Sequence, residues 1–378
     1  MNVAILMPLA RQLGGAETTF KQLLGHSQDI DIDWHVIFFR DGPLVNEVQR
    51  NGVSTYVVDT GRLRQPVRFM NAIRRIAKLL RATECHLVLS WSAKPHVYGS
   101  LAGLLAGLPS AWYQQGSPSG VHLSFIDRLA TLLPAQMVLV VSEMGRHAQE
   151  RLWPKRRTKL VYPGVDLDHF ESAALPKRDD ARIRLGLEHH GPIIGIVGRL
   201  QRWKGMHVLV EAMPLVLEQY PDALCLIVGG RHELEPDYEA HLKCLIKELD
   251  IQQSVQLLGF QTNIPLWMQA MDVVVHASDH EPFGLVVIEA MALGKPVVAA
   301  NSGGPREIIN EGVDGLLSPF GDSKSLAGAL ISLLADKDFA DRIGRQAEIR
   351  AQQFSIQAYV REMSKAIYEL HDNAAAPL

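Results

Sequence analysis

Cysteine is scarce in this chain: Cys85, Cys225 and Cys244 are the three in 378 residues, and no two of them form a CxxC pair. An odd, scattered set excludes a disulfide framework and argues against a zinc ribbon or a dithiol redox motif. Cys85 and Cys225 border apolar, strand-like runs, so packed thiols in a reducing compartment are expected. Long hydrophobic runs are missing too. A membrane-spanning helix needs about 20 apolar residues, and the nearest candidate, 101–108, is short and broken by glycines. The opening residues, Met1 to Pro8, carry no basic segment ahead of the apolar run and read as a first buried strand rather than a leader. Excess charge is also absent. The formal net charge is −3, without the basic surplus of a nucleic-acid-binding domain.

Hydrophobic residues make up 47 % of the chain and charged ones 21 %, the balance of a globular enzyme long enough for two cores. Strand-like runs at 3–7, 34–39, 54–58, 86–90, 110–114 and 137–142 alternate with helix-like stretches. A second series follows at 193–198, 224–228, 255–258, 272–276 and 296–300. Such alternation implies parallel sheets with helices on both faces, here an α/β chain of two doubly wound, Rossmann-like domains. The turn at Tyr162-Pro163-Gly164 and the polar, proline-interrupted stretch 171–191 mark the boundary. The expected domains are therefore 1–170 and 171–354, with a last helical pattern at about 355–372. Open parallel sheets bind ligands outside the carboxyl ends of their strands, so a ligand cleft between two facing domains is expected.

The richest segment runs from His280 to Ala299. It places Glu281 and Glu289 eight positions apart across a strand–loop–helix junction. Pro282 suits a first helical turn, so the helix is expected to start near Phe283 or Gly284. Eight residues of helix rise roughly 12 Å, about the span from a sugar ring across a diphosphate to a ribose. Glu289 lies among Val286, Val287, Ile288, Ala290 and Met291. An acid in so apolar a helix needs a partner. Free N–H groups of the first turn favour anions and hydroxyls.

Other chemistry-bearing residues follow strand ends. Gly14-Gly15-Ala16-Glu17 opens a helix after the first strand; it is either a phosphate-approaching loop or a glycine turn needed for packing. It lacks the third glycine of a dinucleotide fingerprint, which argues against an NAD dehydrogenase. Arg199 and Lys204 flank a loop after the first strand of the second domain. They read as a solvated basic loop or as cations aimed at a diphosphate, Arg199 as a fork and Lys204 as a point charge. Gly229-Gly230 and Gly259-Phe260 end two more strands. No DxD-type or His/Cys cluster sits at a strand end near these motifs, so no metal is expected. Residues 62–81 hold seven Arg or Lys and no acid, with apolar residues interleaved at helical spacing. That pattern fits an ordinary helix with a solvated basic face, or a helix lying against an anionic membrane surface.

The Glu281–Glu289 segment resembles the EPFG-x-x-x-x-E signature of retaining glycosyltransferases of family 4, which have the two-domain GT-B architecture. GGAE at 14–17, GR-x4-KG at 198–205 and GG-x-x-E at 303–307 fit the same family, and the likeness covers about residues 1–370. The resemblance implies metal-independent, retaining transfer of a sugar from a nucleotide sugar, UDP or GDP, with no other cofactor. The acceptor would be a hydroxyl of a glycan or a lipid-linked molecule. Glu289 would accept the donor's ribose hydroxyls. Glu281, with the backbone of Phe283, Gly284 and Leu285, would hold the transferred sugar. Arg199 and Lys204 would stabilise the leaving diphosphate, Gly14 and Gly15 would face it, and Gly259 and Phe260 would lie beside the base. The GG-x-x-E loop is read mainly as loop–helix architecture. One departure stands out: relatives usually carry a histidine where this chain has Gln115, and His122 is seven residues on. Two other readings stay open, a nucleotide-sugar 2-epimerase and a non-catalytic nucleotide-sugar or glycan-binding protein. The expected location is cytoplasmic, with peripheral contact at the inner face of the membrane as the alternative.

Overall fold

The computed structural model describes residues 1–11, 14–61, 63–116, 125–170, 175–187 and 191–375. The chain divides into two compact units, Met1–Gly164 with Ile356–Leu378, and Val165–Ser355.

The first unit is built on strands β1 (Asn2–Met7), β2 (Asp33–Phe38), β3 (Ser54–Val57), β4 (Leu87–Ser90), β5 (Ser110–Gln114), β6 (Met137–Val140) and β7 (Thr158–Leu160). Their order is β3-β2-β1-β4-β5-β6-β7, every neighbouring pair parallel. Val3 to Met7 are wholly buried, as a strand covered by helices on both faces must be, and this explains the unbroken apolar run. The last helix, Ile356–Ala375, belongs to this unit. Tyr359 lies near-parallel to Tyr113 at 6.4 Å between ring centres, and Glu369 salt-bridges Arg157 and Lys159, the latter at 2.6 Å.

The second unit carries β8 (Ile193–Val197), β9 (Leu224–Val228), β10 (Val255–Gly259), β11 (Val273–His276), β12 (Val297–Ala300) and β13 (Leu316–Ser318). Their order is β10-β9-β8-β11-β12-β13, again all parallel. In both sheets the order reverses once, at β1/β4 and at β8/β11. A crevice opens outside the carboxyl ends at such a reversal. In the second unit, the loops flanking it are those after β8, holding Arg199 to Gly205, and after β11, holding Ala277 to Gly284.

Three local expectations change. The stretch taken for a linker contains a helix, Arg178–Arg184, held by buried Arg182, which donates to Asp272 at 2.6 Å and to the Ala270 carbonyl at 3.0 Å. The two compact units divide at 164/165. The helix after Glu281 spans Leu285–Ala292, not from Phe283 or Gly284, because Gly284 caps it at φ +110°, outside helical space. The terminal helix runs past 372 to Ala375.

Candidate functional site

Close backbone approaches fix the loops at the carboxyl edge of the second sheet. Gly205 has φ +71°, and a Cβ there would lie 2.0 Å from the Ala277 carbonyl oxygen. The loop after β8 can therefore press against the end of β11 only with glycine at this point. The Asp279 N–H donates to the Trp203 carbonyl at 2.8 Å across the same seam. From the other side comes the loop after β12. A Cβ on Gly303 (φ +68°) would lie 2.2 Å from the Glu281 carbonyl oxygen, and one on Gly304 2.1 Å from that of Phe283. The Gly304 N–H donates to the Glu281 carbonyl at 2.9 Å, and Ser302 Oγ donates to the Asp279 carbonyl. The GG-x-x-E segment is thus the cradle of the Glu281 loop.

This scaffold brings Lys204 to Glu281 although 77 positions separate them. Lys204 Nζ forms an ion pair with Glu281 Oε2, both side chains being largely buried, and it also sits 4.2 Å from the centre of the Trp203 ring. Buried His276 places Nε2 3.2 Å from the same Oε2. Burial pushes the Glu281 carboxyl up, but the Lys204 charge and the His276 hydrogen bond outweigh it and hold the group below the usual carboxylate range. Glu281 is an anion with two donors on one oxygen.

Glu289 differs. It is half-buried in Leu285–Ala292, and among the described residues nothing hydrogen-bonds or ion-pairs with it. Burial alone pushes its carboxyl up to about 7. Arg199 has no acidic partner among the described residues; its Nη1 lies 3.3 Å from His232 Nε2. Arg202, in the same loop, lies over the Tyr238 ring at 5.5 Å. Gly259 has φ +68° with open space around it, and Phe260 is 78 % exposed beside Gly230, an uncovered aromatic face at the end of β10.

In the first unit, Gly14 is the N-cap of the helix Gly15–Gly25 and follows β1. Gln115 follows β5, and its buried Nε2 has no partner among the described residues. A cavity of about 190 Å³ lies there, lined by Ser92, Lys94, Trp112, Gln114, Gln115 and Asp127. His122 falls outside the described residues. The helix Pro66–Ala82 buries Ala72, Ile73, Ile76, Ala77 and Leu80, and exposes Arg68, Arg74, Arg75, Lys78 and Arg81 together with Val67 and Met70. Arg62 falls outside the described residues.

Sequence reasoning missed His276. Its one signal was a lone polar residue closing the apolar strand Val273–His276, five positions before Glu281.

A family described as "Glycosyltransferase Family 4" matches residues 13–169, and one described as "Glycosyl transferases group 1" matches residues 177–350. The chain is 38 % identical over 205 residues to a D-inositol 3-phosphate glycosyltransferase of Corynebacterium urealyticum, covering 53 % of this chain and 48 % of that protein. It is 32 % identical over 247 residues to spore coat protein SA of Bacillus subtilis, covering 62 % and 65 %. The chain thus spans about half to two-thirds of the length of these curated relatives. Among solved structures, Anabaena Alr3699/HepE in complex with UDP superposes with a TM-score of 0.85 at 26 % identity, over 98 % of this chain and 100 % of that one. The same Anabaena protein in complex with UDP-glucose gives 0.84 at 27 %, again over 98 % and 100 %. Two parallel, Rossmann-like sheets with these loops define the GT-B fold. The chain belongs to the group 1, family 4 glycosyltransferases.

Proposed function

We propose that this chain is a retaining, metal-independent glycosyltransferase that moves a sugar from a nucleoside diphosphate sugar to a hydroxyl of a glycan or lipid-linked acceptor. The observation that carries the reading is Glu289, an acid in an apolar helix with no described protein partner, eight residues after a Glu281 that is held as an anion. The ribose diol supplies the missing partner for Glu289. Glu281 takes a hydroxyl of the transferred sugar, where the backbone of Phe283, Gly284 and Leu285 also lies. The base stacks beside Gly259 and Phe260. Arg199 and Lys204 meet the diphosphate; by resemblance to the family, Gly14 and Gly15 also serve the diphosphate, and Gln115 orients the sugar without titrating. UDP is favoured over GDP, because the structurally similar Anabaena protein was solved with UDP and with UDP-glucose.

The anomeric C–O bond to the diphosphate breaks as the acceptor oxygen attacks from the same face, through an oxocarbenium-like transition state. The acceptor's proton passes to the leaving phosphate oxygen, so no strong protein base is required. Arg199 and Lys204 stabilise the charge that builds on the leaving group. No cofactor beyond the donor enters.

Calorimetry with UDP, GDP, ADP and CDP in the presence of EDTA tests the donor site, and NMR of the product's anomeric configuration tests retention. Tight binding of one nucleotide, followed by transfer with retention, is expected. Conversion of the donor without an acceptor would point instead to an epimerase, and binding with neither transfer nor hydrolysis to a non-catalytic protein.

The exposed arginines of Pro66–Ala82, with Val67 and Met70 beside them, support contact with an anionic membrane surface at its cytoplasmic face. No helix among the described residues is long and apolar enough to cross a membrane. Equal sedimentation with anionic and neutral liposomes would remove the membrane contact from the proposal.

A further inference from the structure

We infer that His276 is a positioning residue: it anchors Oε2 of Glu281 so that Oε1 is the oxygen presented to the sugar. The inference rests on the functional reading above. Both partners of the Glu281 carboxylate, Lys204 Nζ and His276 Nε2, converge on Oε2, and Oε1 has no partner among the described residues. An ionised carboxylate only accepts, so the contact at 3.2 Å requires the proton on Nε2. His276 is 3 % exposed, and its Nδ1 is buried without a partner, as the unprotonated nitrogen of that tautomer would be. Ser278 Oγ, also buried, lies 3.3 Å from Nε2 and crowds the ring on the same side. The ring cannot turn away without losing both neighbours.

The two anchors differ in what happens when donor arrives. Lys204 is a point charge on a flexible four-carbon stem, assigned to the diphosphate, whose two to three negative charges compete with one carboxylate for it. His276 ends β11, between β8 and β12, and cannot follow. Once Lys204 is drawn to the diphosphate, His276 alone keeps Oε2 occupied. Without it, the carboxylate is free to rotate and to present either oxygen.

The test compares His276→Leu with His276→Gln, whose amide nitrogen reaches about as far as Nε2. For each, calorimetry gives the affinity for UDP and for UDP-glucose (or for the nucleotide and sugar that wild type selects), and kinetics give kcat and KM separately. A hydrogen bond to a charged group is worth roughly 10- to 100-fold. His276→Leu should leave UDP affinity within about twofold while kcat/KM falls roughly 10- to 100-fold. The extra affinity contributed by the sugar should shrink with it. His276→Gln should restore most of both, and His276→Leu should add nothing on a Glu281→Ala background. The inference is overturned if His276→Leu keeps the sugar increment and turnover. It is equally overturned if UDP binding weakens as much as UDP-sugar binding, or if Gln is no better than Leu. Failure of wild type to bind any nucleotide would overturn the functional reading instead. The His276–Glu281 coupling would then be read from the Tm of the two single variants and the double variant, and additive changes would overturn it.

Discussion

Glu289→Gln should make the unliganded protein more stable and the donor site worse. The carboxyl is held at about 7 in the fold against a reference of 4.5, because burial disfavours its charge and no described group compensates. The folded state therefore binds more protons than the unfolded state between those values, and stability falls as pH rises through that window. The full shift is worth on the order of 3 kcal/mol. The side chain is only half-buried, and solvent screens part of this, leaving about 2 kcal/mol. Glutamine keeps the shape and removes the ionisation. At pH 8 the variant should melt several degrees higher than wild type, at about 2–4 °C per kcal/mol for a unit of this size. At pH 5, where wild-type Glu289 is already protonated when folded, the gain should nearly vanish. Scanning calorimetry across pH 5–8 gives both values, and nucleotide titration gives the functional cost, a loss of roughly tenfold or more if one charged hydrogen-bond acceptor is removed from the ribose. A Tm gain independent of pH, or a variant that binds nucleotide like wild type, would refute the reasoning.

Lys204→Ala and Arg199→Ala should each lower kcat 100-fold or more, since removing a transition-state charge contact costs about 3 kcal/mol; near-wild-type turnover in either removes its assigned role. Lys204→Ala should also let the Glu281 carboxyl titrate higher, because it loses the lysine charge that opposes burial. Gln115→His should leave nucleotide affinity unchanged and alter kcat or donor choice; a change in UDP affinity instead would place Gln115 at the nucleotide. Gly303→Ala should abolish transfer, because its Cβ would fall 2.2 Å from the Glu281 carbonyl oxygen; an active Gly303→Ala enzyme would mean the cradle is not needed.

The parts of this molecule legible in the sequence are those written locally. Strands such as Val3 to Met7 are continuous apolar runs because helices cover both faces, and the Glu281–Glu289 segment keeps its spacing inside one loop and one helix. Strands β7 and β13 escaped notice because three residues carry no periodicity, and β7, Thr158–Leu160, is only half-buried. The helix Arg178–Arg184 was hidden by its charge. It is tied to the sheet by Arg182 bonding Asp272, 90 positions away, a contact that no apolar stripe announces. The same holds at the site. Nothing in a linear reading says that Lys204 and His276 share one oxygen of Glu281, or that Gly303 and Gly304 are glycines because Glu281 and Phe283 lie against them.

The two acids meet the cost of burial in different ways, and on the proposed reading donor binding should be a proton-linked event. Glu281 is neutralised at rest by Lys204 and stays ionised. Glu289 has no described cation, so below about 7 a proton neutralises it. A ribose diol donates two hydrogen bonds and needs the ionised form, so nucleotide binding at pH 6 should expel a proton from Glu289. At pH 8.5 there is none to expel. On that reading Lys204 moves toward the diphosphate while Glu281 keeps His276 and gains the sugar hydroxyl, two donors that offset the lost lysine charge and should keep it ionised at pH 6. Calorimetric enthalpies measured in buffers of different ionisation heat should therefore give close to one proton released per nucleotide at pH 6, falling toward none at pH 8.5. Glu289→Gln should release none at either pH. Proton uptake at pH 6, or release that survives Glu289→Gln, would mean that the ribose meets a different group.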